Sequence, residues 1–295
     1  MSARPGPEGG IIVSMTSTDS TGTSTGTSTG TSHTMDSCWD LAVSLAAHHA
    51  GRMPGAEPVS GDIFQVSTMR ALVAGSFDGD TAYAEIMRHG DFGVGTFNAL
   101  DGEMAAVDGD YFHLHSDGSV GAVDPADLTP FAAVTFFRAD AEIDVESPCS
   151  RGDLFTLVDA TLPSTNQFYA IRVDGLFGAV TTRTAARQTK PYPRLVETTK
   201  SQVERTFRAV RGTIVGFRAP QGAQGTTVAG YHLHFVDDSR TVGGHVLDFR
   251  LECGRITLDQ DAELHVQMPA DAGPAEQGEV DAAVAAEIER AENGR

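Results

Sequence analysis

Gly230-Tyr-His-Leu-His-Phe235, followed across Asp237-Asp-Ser-Arg-Thr-Val242 by Gly243-Gly-His-Val-Leu-Asp-Phe249, is the stretch on which the reading of this chain turns. The first segment is aromatic and apolar around two histidines, which suits a strand. Side chains two apart on a strand share a face, so His232 and His234 point the same way. The intervening segment is rich in turn formers and can close a hairpin. A turn centred near Ser239 and Arg240 sets His234 directly opposite His245. Directly paired residues share a face with Cβ atoms about 5 Å apart. Three imidazoles then converge, and a three-histidine site leaves metal positions open for water or substrate.

A His-x-His pair alone is more often structural, and the chain contains its own control. Tyr111-Phe-His-Leu-His115 has the same spacing as His232 and His234. No third histidine lies at a matching offset, and the pair adjoins Ser116-Asp-Gly118, a turn signal. His113 and His115 therefore read as structural or solvent-facing.

Working outward, the 295 residues suffice for one large domain or two modest ones. Hydrophobic residues make up 40% and charged residues 21%, as in a globular protein. A formal net charge of −19 argues against nucleic-acid partners and anionic membranes. It also means that an anionic substrate needs a local cation. The three cysteines, Cys38, Cys149 and Cys253, show no Cys-x-x-Cys spacing, and an odd number suits a reducing compartment. No apolar run reaches the ~20 residues of a membrane span, and Ile11-Ile-Val13 falls short of the ~7 to 15 of a signal-peptide core. The expectation is a cytoplasmic protein.

Residues 1–35 carry a Thr-Gly-Thr-Ser repeat from Thr21 and read as a disordered low-complexity tail. Helices are expected over 36–50, 80–89, 194–210 and 279–292. Strands are expected over 63–66, 103–107, 132–137, 168–173, 212–217, 230–236, 245–252 and 255–258. Few, interleaved helices predict a mixed α+β architecture of two domains, each built on a mixed β-sheet. The N-terminal domain would span 36–160 and the C-terminal domain 161–278, joined by a loop around Pro148 to Asn166. Residues 279–295 would form a C-terminal tail helix that reaches the active site.

His89-Gly-Asp-Phe-Gly-Val-Gly-Thr-Phe-Asn-Ala-Leu-Asp-Gly-Glu-Met104 resembles the signature of the alpha-acetolactate decarboxylases. Further blocks follow in family order: Thr129-Pro-Phe131, Phe168-Tyr-Ala-Ile-Arg-Val-Asp-Gly175, Thr182-Arg183, Gln188-Thr-Lys-Pro-Tyr192, Arg211-Gly-Thr-Ile-Val-Gly-Phe217 and the histidine hairpin. The resemblance covers roughly residues 60–268. It implies a zinc enzyme that decarboxylates 2-acetolactate to acetoin as a homodimer of two-domain subunits. The family's zinc ligands fall on His232, His234 and His245. Its threonine, glutamate and arginine fall on Thr96, Glu103 and Arg183. A further glutamate from the C-terminal tail falls on Glu292, with Glu289 as the alternative.

The chemistry asked of these residues is coherent. Arg183 can hold a substrate carboxylate through paired hydrogen bonds, although a strand arginine in Thr181-Thr-Arg-Thr184 also suits a surface ion pair. Glu103 and Glu292 can share general acid/base work, because neighbouring carboxylates push each other's pKa apart. Thr96 can offer a hydroxyl to substrate or to a carboxylate, although a β-branched strand residue explains it more simply. Zinc rests on the resemblance, since iron, nickel or copper also suits three imidazoles. Asp91, Asp101 and Asp248 read as structural.

Two other classes compete. A cupin-like metal dioxygenase also begins with His-x-His on a strand, but it adds a glutamate within a few residues, where this chain has Val236, Asp237 and Asp238. A non-enzymatic metal-containing binding module is opposed by the net charge and the lack of a basic stripe.

Overall fold

The computed structural model describes residues 13–17, 61–199, 202–270 and 282–293. The helix expected over 36–50 lies outside them, as does Cys38. The described residues form a mixed α+β fold of two stacked sheets with few helices. None of their helices is long and apolar enough to cross a membrane.

The first sheet runs in the order Glu263–Gln267, Asp62–Val66, Ala132–Thr135, Phe92–Thr96, Glu103–Val107, Asp110–Leu114, Val120–Ala122. Only the pairing of Glu263–Gln267 with Asp62–Val66 is parallel. In the second sheet, Val13–Ser17 pairs with Ala141–Val145, which pairs with the long strand Gly243–Asp261. Phe168–Thr184, Val203–Ala219 and Gly230–Asp237 follow, and the last pairs back onto Gly243–Asp261. Four long strands thus close a ring at one end of the sheet.

Alternation along each strand assigns the faces. Val215, Phe217 and Val236 of the second sheet pack with Val94, Ala105 and Val107 of the first, forming the layer between sheets. Ile214, Leu233 and Phe235, one position out of phase, turn into the second sheet's own core, which the helix Arg151–Thr161 covers with Leu154 and Val158. Met104 and Ala106 face the opposite side of the first sheet.

Several expectations are corrected. The helix expected over 194–210 stops after Leu195–Thr199, and Val203–Ala219 is a strand. Leu195, Thr199, Val203 and Phe207 recur every four residues. Four is even, so the same spacing keeps one face of a strand, and β-branched and aromatic residues settle the choice. The helix expected over 80–89 is a single turn, Tyr83–Ile86, after a short strand, Thr81–Ala82. The join around Pro148 to Asn166 is largely the helix Arg151–Thr161. Its capping box is Ser150 with Asp153, a start signal that marks it as ordered structure. Within the tail expected to be disordered, Val13–Ser17 is an edge strand.

The sheets also do not divide at residue 160. Ala141–Val145 belongs to the second sheet, and Glu263–Gln267 returns to the first. The expected strands 245–252 and 255–258 are parts of one strand, because bulges absorb the irregularity without breaking its pairing.

Candidate active site

The hairpin closes as its parity requires. His234 pairs directly with His245, and the Asp237 carboxylate accepts from the backbone N–H groups of Ser239, Thr241 and Val242 to hold the turn. His232, His234 and Val236 share the face toward the first sheet. Gly243 and Gly244 make room for the closure. A Cβ on Gly243 would meet the Phe235 carbonyl at 2.5 Å, and Gly244 holds φ +151 between Thr184 and Arg183.

The three imidazoles bring ligand atoms within 4.8 Å of one another, and all three are buried. Burial holds each below the ordinary histidine range, His232 down to about 3, with Arg183 adding to the effect. They are thus neutral bases at physiological pH. His234 Nδ1–H donates to the Met104 carbonyl at 2.7 Å, which leaves a bare lone pair on Nε2. That Nε2 is buried without a hydrogen-bond partner. Neutral, oriented imidazoles with an unspent lone pair fit a divalent metal. Zn²⁺ is compatible with this donor set.

Sheet pairing adds Arg183. It lies opposite His245, so guanidinium and imidazole project from one face. It is not the surface arginine that its local sequence allows, being only 6% exposed with its Nε unpartnered. Glu103 opens Glu103–Val107 on the parity of Ala105 and Val107, facing the second sheet. Its Oε2 lies 3.7 Å from His234 Nε2.

Gly102, at φ +86, shapes the turn into that strand. Thr96, paired with Glu103, donates its hydroxyl to the Gly102 carbonyl at 2.6 Å. That bond ties Thr96 to the turn that presents Glu103.

The terminal helix, Ala282–Asn293, turns the two tail glutamates to opposite sides. Ile288 and Ala291 pack into the cluster of Met69, Leu72, Val73 and Leu195, with Val284 at its margin. Glu292, four residues beyond Ile288, shares that inner face, while Glu289 is exposed. The Glu292 carboxylate lies 3.5 Å from His232 Nε2, 3.6 Å from His245 Nε2 and 4.0 Å from the Arg183 guanidinium. His245 Nε2 also lies 2.9 Å from the Glu292 carbonyl.

Glu287 makes a two-pronged ion pair with Arg194, a clamp that the sequence did not reveal. Burial raises Glu103 to about 8 and Glu292 to about 7, with Arg183 pulling both back down. Both carboxyls can therefore hold a proton near neutrality.

These groups line one cleft, whose other wall is Met69, Leu72, Leu100, Phe131 and Leu195. Gln202 also lines it and was not anticipated. His113 stacks on Phe97, with its Nε2 against the Asp101 carbonyl, as a structural histidine should. Asp91 accepts from the Phe137 N–H, Asp101 pairs with Arg187, and Asp248 is exposed on the far face.

A buried cleft with imidazoles, one guanidinium and two protonatable carboxyls defines a small-molecule enzyme that handles an anion and a proton. Comparison with known proteins makes the class specific. The alpha-acetolactate decarboxylase family matches residues 63–277, and the chain belongs to that family. It is 47% identical over 213 residues to the alpha-acetolactate decarboxylase of Bacillus subtilis, covering 72% of this chain and 83% of that protein. It is 47% identical over 208 residues to that of Methylococcus capsulatus, covering 70% and 80%. The crystal structure of the Bacillus subtilis strain 168 enzyme superposes with a TM-score of 0.76 at 44% identity, covering 78% of this chain and 99% of that one.

Proposed function

We propose that the protein decarboxylates (S)-2-acetolactate to (R)-acetoin and carbon dioxide with zinc held by His232, His234 and His245, as a homodimer in the cytoplasm. The observation that carries the chemistry is convergence: imidazoles, an unpartnered guanidinium N–H and two buried carboxyls border one cleft. Family membership supports the substrate, the metal and the dimer.

Arg183 is the cation that an acidic chain needs to receive the substrate carboxylate. Its unpartnered Nε–H and its terminal nitrogens can grip both oxygens. Only contacts that strengthen toward the transition state accelerate the reaction, so Arg183 positions the carboxylate without driving its loss. A bound zinc supplies Lewis-acid stabilisation of the negative charge that develops on the substrate oxygens as carbon dioxide leaves. The carbon that loses the carboxylate then takes a proton, and Glu103 or Glu292 holds one within the cleft. Thr96 fixes the turn that aims Glu103. The apolar wall limits water around the reacting carbon.

The test is carbon dioxide and acetoin release from racemic acetolactate, with and without a strong chelator. Purified protein should carry about one zinc per chain, and turnover should vanish on metal removal. Full activity in a verified metal-free sample would overturn the zinc reading.

A further inference from the structure

Seven buried side-chain atoms among the described residues lack a hydrogen-bond partner, and four of them, Arg183 Nε, Gln202 Oε1, His234 Nε2 and Glu292 Oε2, belong to this one site. Buried acceptors are seldom left bare, so an orphan beside a cleft points to a ligand atom. The proposed chemistry already employs Arg183, His234 and Glu292. It leaves Gln202 unexplained.

Gln202 stands immediately before the strand Val203–Ala219. Val203 pairs with Thr184 and Glu204 with Arg183. One further step in that register sets Gln202 across from Ala185, which also lines the cleft two residues from Arg183. The amide thus belongs to the wall that carries the guanidinium.

A primary amide is uncharged and neither takes nor gives a proton near neutrality. Its oxygen can only accept. Acetolactate presents a carboxylate and a ketone, which are acceptors, and a single donor, the hydroxyl on the carbon that loses carbon dioxide. We propose that Gln202 is a specificity-determining residue whose Oε1 accepts that hydroxyl, a role that rests on the decarboxylase reading. With the carboxylate at Arg183 and the hydroxyl at Gln202, two of the four substituents on the reacting carbon are fixed. A ligand without the hydroxyl leaves the buried acceptor bare, and a site built to bond a hydroxyl rejects such a ligand strongly.

The experiment uses zinc-loaded full-length protein and two unreactive analogues as competitive inhibitors of acetoin formation. 2,3-Dihydroxy-2-methylbutanoate keeps the hydroxyl, and 3-hydroxy-2-methylbutanoate lacks it. Gln202→Leu should lower the preference for the first over the second at least tenfold. Zinc content and melting temperature should be unchanged, and inhibition by the second analogue should hold or strengthen, since no buried acceptor is left bare. Gln202→Met, which keeps the length of the side chain, serves the same comparison if leucine disturbs folding. An equal preference in wild type and variant overturns the proposal, as does a variant weakened equally toward both analogues. Failure of the wild type to form acetoin sinks the decarboxylase reading separately, and calorimetric binding of the same two analogues then decides the role of Gln202.

Discussion

Ile288→Ala tests whether the terminal helix places Glu292 by packing alone. Ile288 is fully buried among Met69, Leu72 and Leu195. A helix of 12 residues is not stable in isolation, so its position depends on what it buries. The Arg194–Glu287 pair adds little, since Arg194 is 42% exposed and such a pair is worth under about 1 kcal/mol. Truncating a buried isoleucine costs about 2 to 4 kcal/mol in lost transfer energy and cavity. That cost falls on the docking of one helix, so it shifts the docked-to-released ratio roughly 30- to 1000-fold. Glu292 leaves with the helix, because it shares the inner face with Ile288. We expect kcat for acetoin formation to fall at least tenfold, hydrogen-exchange protection over 282–293 to vanish, and zinc content to hold. Unchanged kcat with unchanged protection would refute the packing argument.

Glu292→Gln should lower kcat by ~100-fold or more with zinc retained, and Glu289→Gln should change nothing, because only the first faces the cleft. The reverse pattern would place the tail one helical turn out of register. Arg183→Gln should reduce kcat/KM by ~100-fold or more, and chiefly through KM if the guanidinium positions substrate uniformly. Asp261 tests the seam between the sheets. Its Oδ1 accepts from Thr135, its Oδ2 has no partner, and burial raises it from 3.8 to about 8. A raised acid stabilises the fold below its unfolded pKa and loses that contribution as pH rises through about 8. Stability should therefore decline by up to about 1.4 kcal/mol per pH unit between pH 4 and 8 from this group. Asp261→Asn should remove that slope, so its melting temperature should gain on the wild type from pH 4 to pH 8. Parallel curves would show that Asp261 is ionised in the fold at little cost.

The convergence of the three histidines was legible because it depends on two local rules. Parity puts His232 and His234 on one face, and turn length puts His245 opposite His234. Glu103 was named by the family resemblance alone, since a carboxylate at the start of a strand after a turn also suits an exposed position. Arg183 was likewise named only by the resemblance, since the pairing of Thr181–Arg183 with Asp248–His245, remote in sequence, is what turns an ordinary strand arginine inward. Gln202 and Glu287 were hidden for the same reason: what they face is set by elements far away in the chain. The strand Val203–Ala219 was obscured by a spacing that fits two periods. Ser150 with Asp153, by contrast, is a helix start written plainly in the sequence.

The exchange of strands between the sheets shapes how this chain can be made. Asp62–Val66 sits in the first sheet but acquires its parallel neighbour only when Glu263–Gln267 has been synthesised, some two hundred residues later. The second sheet takes Ala141–Val145 before its partner, Gly243–Asp261, exists. Neither sheet can be completed while the ribosome is still translating its neighbour, so the first half of the chain must wait with open β edges. Long-range pairing of this kind makes folding slow and exposes the nascent chain to aggregation. Cutting the gene between the helix Arg151–Thr161 and the strand Phe168–Thr184 should yield two insoluble fragments, whereas the same two fragments expressed together have a route to the native fold.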